Sequence, residues 1–140
     1  MYNASMTYDY FISSRFRNKA AVLELTKKLR DKGKRVYCFV EDYDDEQTPE
    51  EYMQKFESIP NWREDKGVRE MFEKDMQALK DSEALILLLP AGKSAHIETG
   101  AAYGFGKKCI LIGEQKETES LYLLFDEFYH SIDLFIKDLS

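Results

Sequence analysis

The chain of 140 residues is short of cysteine, proline and tryptophan, with two, three and one of each. Cys38 and Cys109 have no CxxC spacing and fall in apolar, strand-like runs. That excludes a disulfide-stapled scaffold and reads both as reduced core residues. No apolar run approaches the roughly 18 residues of a membrane span, so no membrane partner is expected. The opening MYNASMTYDY has no basic segment followed by an apolar one. No secretory leader is therefore expected, and the cytoplasm is the expected location. Positive charge is also scarce: 20 Lys and Arg stand against 26 Asp and Glu, a net charge of −6. Phosphate backbones select basic surfaces, so a nucleic-acid polymer is not the expected partner. A single nucleotide needs only a local basic pocket and stays open. No GxGxxG or Walker fingerprint is present. Gly104-Phe105-Gly106 follows a helical pattern and reads as a cap and turn. His96 and His130 belong to no Cys/His/Asp cluster at ligand spacing, so neither a metal nor a cofactor is expected.

What is present is an alternation of strands and helices. Tyr8–Ser13 reads as a first strand. Residues 18–32 place Ala21, Val22, Leu25 and Leu29 on one face, and Gly33 closes that helix. Val36–Val40 is a continuous apolar run, as in a strand covered on both faces. An acidic loop, Glu41–Glu46, precedes a short helix opened by Pro49 and running through Glu57. Residues 58–66 are irregular and contain Trp62, which reads equally as a lid aromatic or a core anchor. A helix follows over 67–80, then a buried strand at Ala84–Leu89, a tight loop, a helix at Ala95–Phe105 and a strand at Lys108–Ile112. Leu121–Phe128 is ambiguous between helix and strand, with a fifth strand near 124–129 as one outcome. Ser131–Leu139 is a closing amphipathic helix, with His130 as its expected cap. The pattern predicts one α/β domain over 1–140. Its sheet is doubly wound and parallel, of four to five strands, flavodoxin-like or Rossmann-like.

Such sheets bind ligands beyond the carboxyl ends of their strands. Three segments should converge there: Ser13–Arg17, the acidic loop, and Pro90–Glu98. Ser94 is a good N-cap, which would put Glu98 in or just beyond the first helical turn, where the dipole favours an ionised carboxylate. A charged carboxylate over a crevice suits a nucleophile or an oxocarbenium stabiliser. The plainer reading is that glutamate is common in first turns. Asp75 falls on the apolar stripe of its helix and needs a partner or a job there. Facing the crevice, it would complete a carboxylate pair for glycosidic cleavage; at the edge of the stripe, it would reach solvent. The hydroxyls and guanidinium of Ser13, Ser14 and Arg15 can hold a phosphate, with help from Lys93 and Ser94, or form a solvated turn. His96 adjoins Glu98 and reads equally as a substrate contact or a surface residue.

Taken together, the run from Asp75 to Ile112 resembles the nucleoside 2-deoxyribosyltransferase-like superfamily. The likeness is carried above all by Leu87-Leu88-Leu89-Pro90-Ala91-Gly92-Lys93-Ser94-Ala95-His96-Ile97-Glu98-Thr99-Gly100. That superfamily includes deoxyribosyltransferases and 2′-deoxynucleoside 5′-phosphate N-hydrolases. The resemblance implies cleavage or transfer at the N-glycosidic bond of a nucleoside or nucleotide. Glu98 would be the nucleophile, and Asp75 would contact the base and assist its departure. Tyr10 would orient the glutamate. Ser13, Ser14 and Arg15 would cradle the sugar or 5′-phosphate end. Gly92 stands where transferases have an aspartate and N-hydrolases a serine, which favours a 5′-phosphate over a free 5′-hydroxyl. A homodimer or higher homo-oligomer is implied, because such sites are often completed by a neighbouring subunit. Tyr8–Ser13, followed by a helix ending in Lys-Gly, also resembles the start of a TIR domain, which implies an alternative NAD hydrolase. A non-catalytic nucleotide-binding or sensing module is the third reading.

Overall fold

The computed structural model describes residues 6–42, 48–117 and 119–139. Five strands form one sheet: β1 (Tyr8–Ser13), β2 (Val36–Cys38), β3 (Ser82–Leu88), β4 (Lys108–Ile112) and β5 (Glu127–Tyr129). All pairings are parallel, in the order β2-β1-β3-β4-β5. This is the flavodoxin-like winding, and the chain reverses direction across the sheet between β1 and β3. Among the described residues five α-helices flank the sheet: α1 (Lys19–Asp31), α2 (Pro49–Glu57), α3 (Lys66–Lys80), α4 (Lys93–Gly104) and α5 (Ile132–Asp138).

The period-2 alternation of the strands sorts their side chains into two cores. Ile12, Cys38, Ile86 and Ile110 face α1 and α5, where they meet Val22, Leu25, Leu29 and Phe135. Phe11, Tyr37, Leu85, Leu87, Cys109 and Leu111 face α3 and α4, where they meet Ala78, Leu79, Ala95 and Ala102. Burial pushes the Cys109 thiol up to about 11, consistent with an unreactive core residue.

Local signals explain the boundaries. Gly33 takes φ +79 after α1, a conformation that favours glycine. Thr48, Asp65 and Ser131 cap α2, α3 and α5, each accepting a backbone N–H with its side chain. His130, the expected cap of the last helix, instead approaches Glu114 at 2.8 Å. The strand read over residues 36–40 ends at Cys38, because Phe39–Asp42 turns into a 3-10 helix. The ambiguous stretch resolves into a 3-10 turn, Ser120–Leu124, and then β5. Trp62 lies in a 3-10 turn, 51% exposed, with the Arg63 guanidinium 5.0 Å from its ring centre. It is therefore no core anchor. In the acidic loop Glu41 pairs with Arg30; residues 43–46 lie outside the described residues.

Candidate active site

The chain reverses direction between β1 and β3, and two connections meet at the carboxyl ends of these strands. The β1–α1 turn leaves at Ser13, in register with Leu87 of β3. The β3–α4 loop crosses beside it. Ser14 joins them: its hydroxyl donates to the Leu88 carbonyl at 2.8 Å and accepts from Asn18 Nδ2 at 3.1 Å. That commitment makes Ser14 a tie between the walls. A Cβ added at Gly92 would lie 3.8 Å from the Arg15 Cβ, so the Arg15 and Lys93 segments are neighbours.

Helix α4 begins two residues earlier than its apolar pattern indicates. Gly92 is the N-cap and Ser94 is an exposed residue inside the first turn. The expected Ser94 cap is thus corrected. Glu98 consequently sits in the second turn, beyond the main reach of the helix dipole. Its environment is set by other groups. Ser13 Oγ, itself buried, donates to Glu98 Oε1 at 2.6 Å. Burial drives the Glu98 carboxyl up to about 7, the Ser13 hydrogen bond pulls it down, and the charge of Asp75 adds to the rise. Glu98 is thus poised close to neutrality, where acid–base work at physiological pH is done.

Asp75 is partly buried on α3, and the Tyr37 hydroxyl donates to its Oδ1 at 2.9 Å. Tyr37 comes from β2 and stacks on Phe11, ring centres 5.1 Å apart. Its phenol is the functional group that sequence reading missed. A signal existed: a tyrosine in a strand covered on both faces must find a partner for its hydroxyl.

Tyr10 is a correction. Its ring meets Phe135 edge-on at 5.9 Å, in the α1/α5 core. Glu98 is reached from the opposite face, because Ser13 and Tyr10 are three residues apart on a strand of period 2. The position expected from the tyrosine is filled by the Ser13 hydroxyl.

Arg15 and Lys93 are exposed, and neither is drawn into an ion pair with a described residue. No side chain caps the first N–H groups of α4 beside them. His96 is engaged at both nitrogens: Nδ1 is 2.8 Å from the Gly92 carbonyl and Nε2 is 2.6 Å from the Tyr122 hydroxyl. It lines a cavity of about 520 Å³ with Leu89, Pro90, Tyr122 and Glu114. Two residues along a helix turn its surface by roughly 200°. The cavity therefore lies across α4 from Glu98, and its lining does not include the carboxylate pair. Among the described residues no His, Cys, Asp and Glu group could hold a metal ion.

Two solved structures share this architecture. One is the CMP N-glycosidase BcmB of Clostridium botulinum: 18% identity, 93% of this chain and 96% of that one covered, TM-score 0.59. The other is a 2-deoxyribosyltransferase of Bacillus psychrosaccharolyticus: 16% identity, 89% and 87% covered, TM-score 0.61. The fold is nucleoside 2-deoxyribosyltransferase-like. No family model matches the chain, and no curated protein does. The Ser13–Glu98 contact stands at the carboxyl edge of the sheet, the side on which α/β sheets bind ligands. Among the described residues, no helix is long and apolar enough to cross a membrane.

Proposed function

We propose that the chain cleaves or transfers at the N-glycosidic bond of a nucleoside or nucleoside 5′-monophosphate, with Glu98 as nucleophile. The observation that carries this reading is the Glu98 carboxylate, held at 2.6 Å by Ser13 at the carboxyl edge beside the charge of Asp75. A buried carboxyl group raised to about 7 beside a second carboxylate suits a reaction in which one attacks and the other manages a proton. Glu98 forms a bond to C1′ as the C1′–N bond breaks and its electron pair leaves with the base. Asp75 guides a proton to that base. Water or a second base then attacks C1′ and releases the glutamate. The substrates of the two structural neighbours, one named for CMP and one for deoxyribosyl transfer, support this bond class.

Arg15, Lys93 and the N-terminal N–H groups of α4 would receive the 5′-phosphate, with Gly92 leaving room for it. A homo-oligomer fits the surface around the site. Ile97, next to Glu98, is 71% exposed, and Phe72, one turn before Asp75, is 63% exposed. A second subunit over these apolar groups would close the pair from water. The cytoplasm remains the expected location.

The test is incubation with ribo- and deoxynucleosides, their monophosphates and NAD, followed by chromatography for free base. Release of purine or pyrimidine, lost in Glu98→Gln, supports the proposal. Free nicotinamide would favour NAD hydrolysis instead. Tight binding without any free base would favour a sensing module.

A further inference from the structure

The two carboxylates are each met by a hydroxyl from the strand beneath. Ser13 stands on β1 and reaches α4, 85 residues away in sequence; Tyr37 stands on β2 and reaches α3, 38 residues away. Both donors are fixed. Ser13 is 1% exposed at the end of a fully paired strand. Tyr37 is 6% exposed, stacked on Phe11 and met edge-on by Tyr8 at 5.5 Å. A phenol locked on two sides has no freedom to leave its acceptor. The groups facing Glu98 are thus Ser13 from β1 and Asp75 from α3, while Tyr37 from β2 faces Asp75.

We propose that Ser13 and Tyr37 are a matched pair of positioning residues, Ser13 holding the nucleophile Glu98 and Tyr37 holding Asp75 against it. This rests on the proposed glycosidic chemistry for its purpose, though not for its geometry. Each donor occupies one oxygen, Oε1 of Glu98 and Oδ1 of Asp75. The second oxygen of Glu98 is thereby left for the attack at C1′. The sheet fixes the spacing of the pair, because both donors are strand residues joined through the β1–β2 register Phe11↔Tyr37. Neither hydroxyl needs to touch substrate.

The experiment is a pH titration of the Glu98 side-chain carboxyl carbon by NMR, in the full-length protein without substrate. Ser13→Ala removes a hydrogen bond that favours the charged form, so the Glu98 midpoint should rise by about one pH unit. Tyr37→Phe keeps the stacked ring but removes the hydrogen bond that holds Asp75 toward Glu98. Its charge then presses less on Glu98, whose midpoint should fall by about half a pH unit. Movements in opposite directions support the pair; unmoved midpoints, or movement in one direction, overturn it. Should Ser13→Ala fail to fold, Ser13→Cys keeps the volume with a weaker donor and is read for the same rise. Because no turnover is needed, the titration reads out even if no nucleotide is cleaved. With a cleaved substrate in hand, Ser13→Ala should lower kcat about tenfold and leave KM within about twofold.

Discussion

Strand β1 meets a carboxylate near each end, and the two are treated in opposite ways. Near its start, Asp9 accepts the Arg35 backbone N–H at 2.8 Å and the Arg35 guanidinium at 2.9 Å. That partner holds its carboxyl below the usual range. At its end, Ser13 gives Glu98 a single neutral hydrogen bond, no cation among the described residues answers the charge, and burial pushes the carboxyl up to about 7. The amino edge of the sheet uses its charges to hold the fold. The carboxyl edge leaves that charge uncompensated among the described residues, which lowers stability and suits the reactive role proposed for Glu98.

The sharpest way to break the comparison is Glu98→Gln. If the nucleophile assignment is right, kcat should fall at least about a hundredfold, since one well-placed electrostatic group contributes roughly 3 kcal/mol. The same variant should be more stable than the native chain above neutral pH. In the fold Glu98 keeps its proton to about pH 7, but in the unfolded chain only to about 4.3. Between those values the folded state binds more protons, so native stability falls as pH rises and the full loss is reached above about 7. Thermal melting at pH 5 and pH 8 checks this: the variant's advantage should be on the order of 2 kcal/mol at the higher pH and small at the lower.

Next in size is Arg15→Ala. It should raise KM about tenfold for 5′-monophosphates and leave free nucleosides nearly unchanged, a loss of one charge-assisted contact. Steady-state kinetics on both substrate types decides it; equal losses on both would remove the phosphate role.

Asp9→Asn should cost only about 1 kcal/mol, because Arg35 is largely exposed and screened by water. Its sign is opposite to that of Glu98. A lowered carboxyl contributes stability above its unfolded value near 3.9 and loses it as acid protonates it. Urea melts at pH 7 and pH 3 should show the cost at the first and not at the second, with catalysis untouched. Smallest of all is Glu50→Gln, which cuts the exposed Arg17–Glu50 pair between α2 and the β1–α1 turn. The same melts should show no resolvable change, because both groups are fully exposed and screened by water.

The sheet was legible because its strands are unbroken apolar runs between punctuated helices. Ala84–Leu89 and Lys108–Ile112 lie within a residue or two of β3 and β4. Pro49 opened α2 where its ring permits, and Gly33 closed α1 where a positive φ requires it. Asp75 was legible as a candidate because a charge on an apolar stripe is costly and must be explained, and Glu98 because it follows a tight loop at the end of a buried strand, near a helix start. Their supports were harder to read. Tyr10 and Ser13 differ by an odd number of residues, and strand parity alone puts them on opposite faces. The α4 start was misread because serine is the stronger capping residue, whereas the tight β3–α4 loop places the cap at Gly92. The Tyr37–Asp75 bond joins β2 to α3, and no local pattern encodes a contact at that separation.

Helix α4 has one more consequence. Cβ atoms added at Gly100 and Gly104 would meet nothing, so neither glycine is needed for fit within this chain. Each weakens the helix by about 1 kcal/mol relative to alanine. A twelve-residue segment with that composition would not hold a helix in isolation. It exists because Ala95, Thr99 and Ala102 are clamped against β3 and β4. Glu98 therefore has no address until the sheet is built. In hydrogen exchange α4 should open as a unit of its own, before the strands do, and each opening would carry the carboxylate away from Ser13.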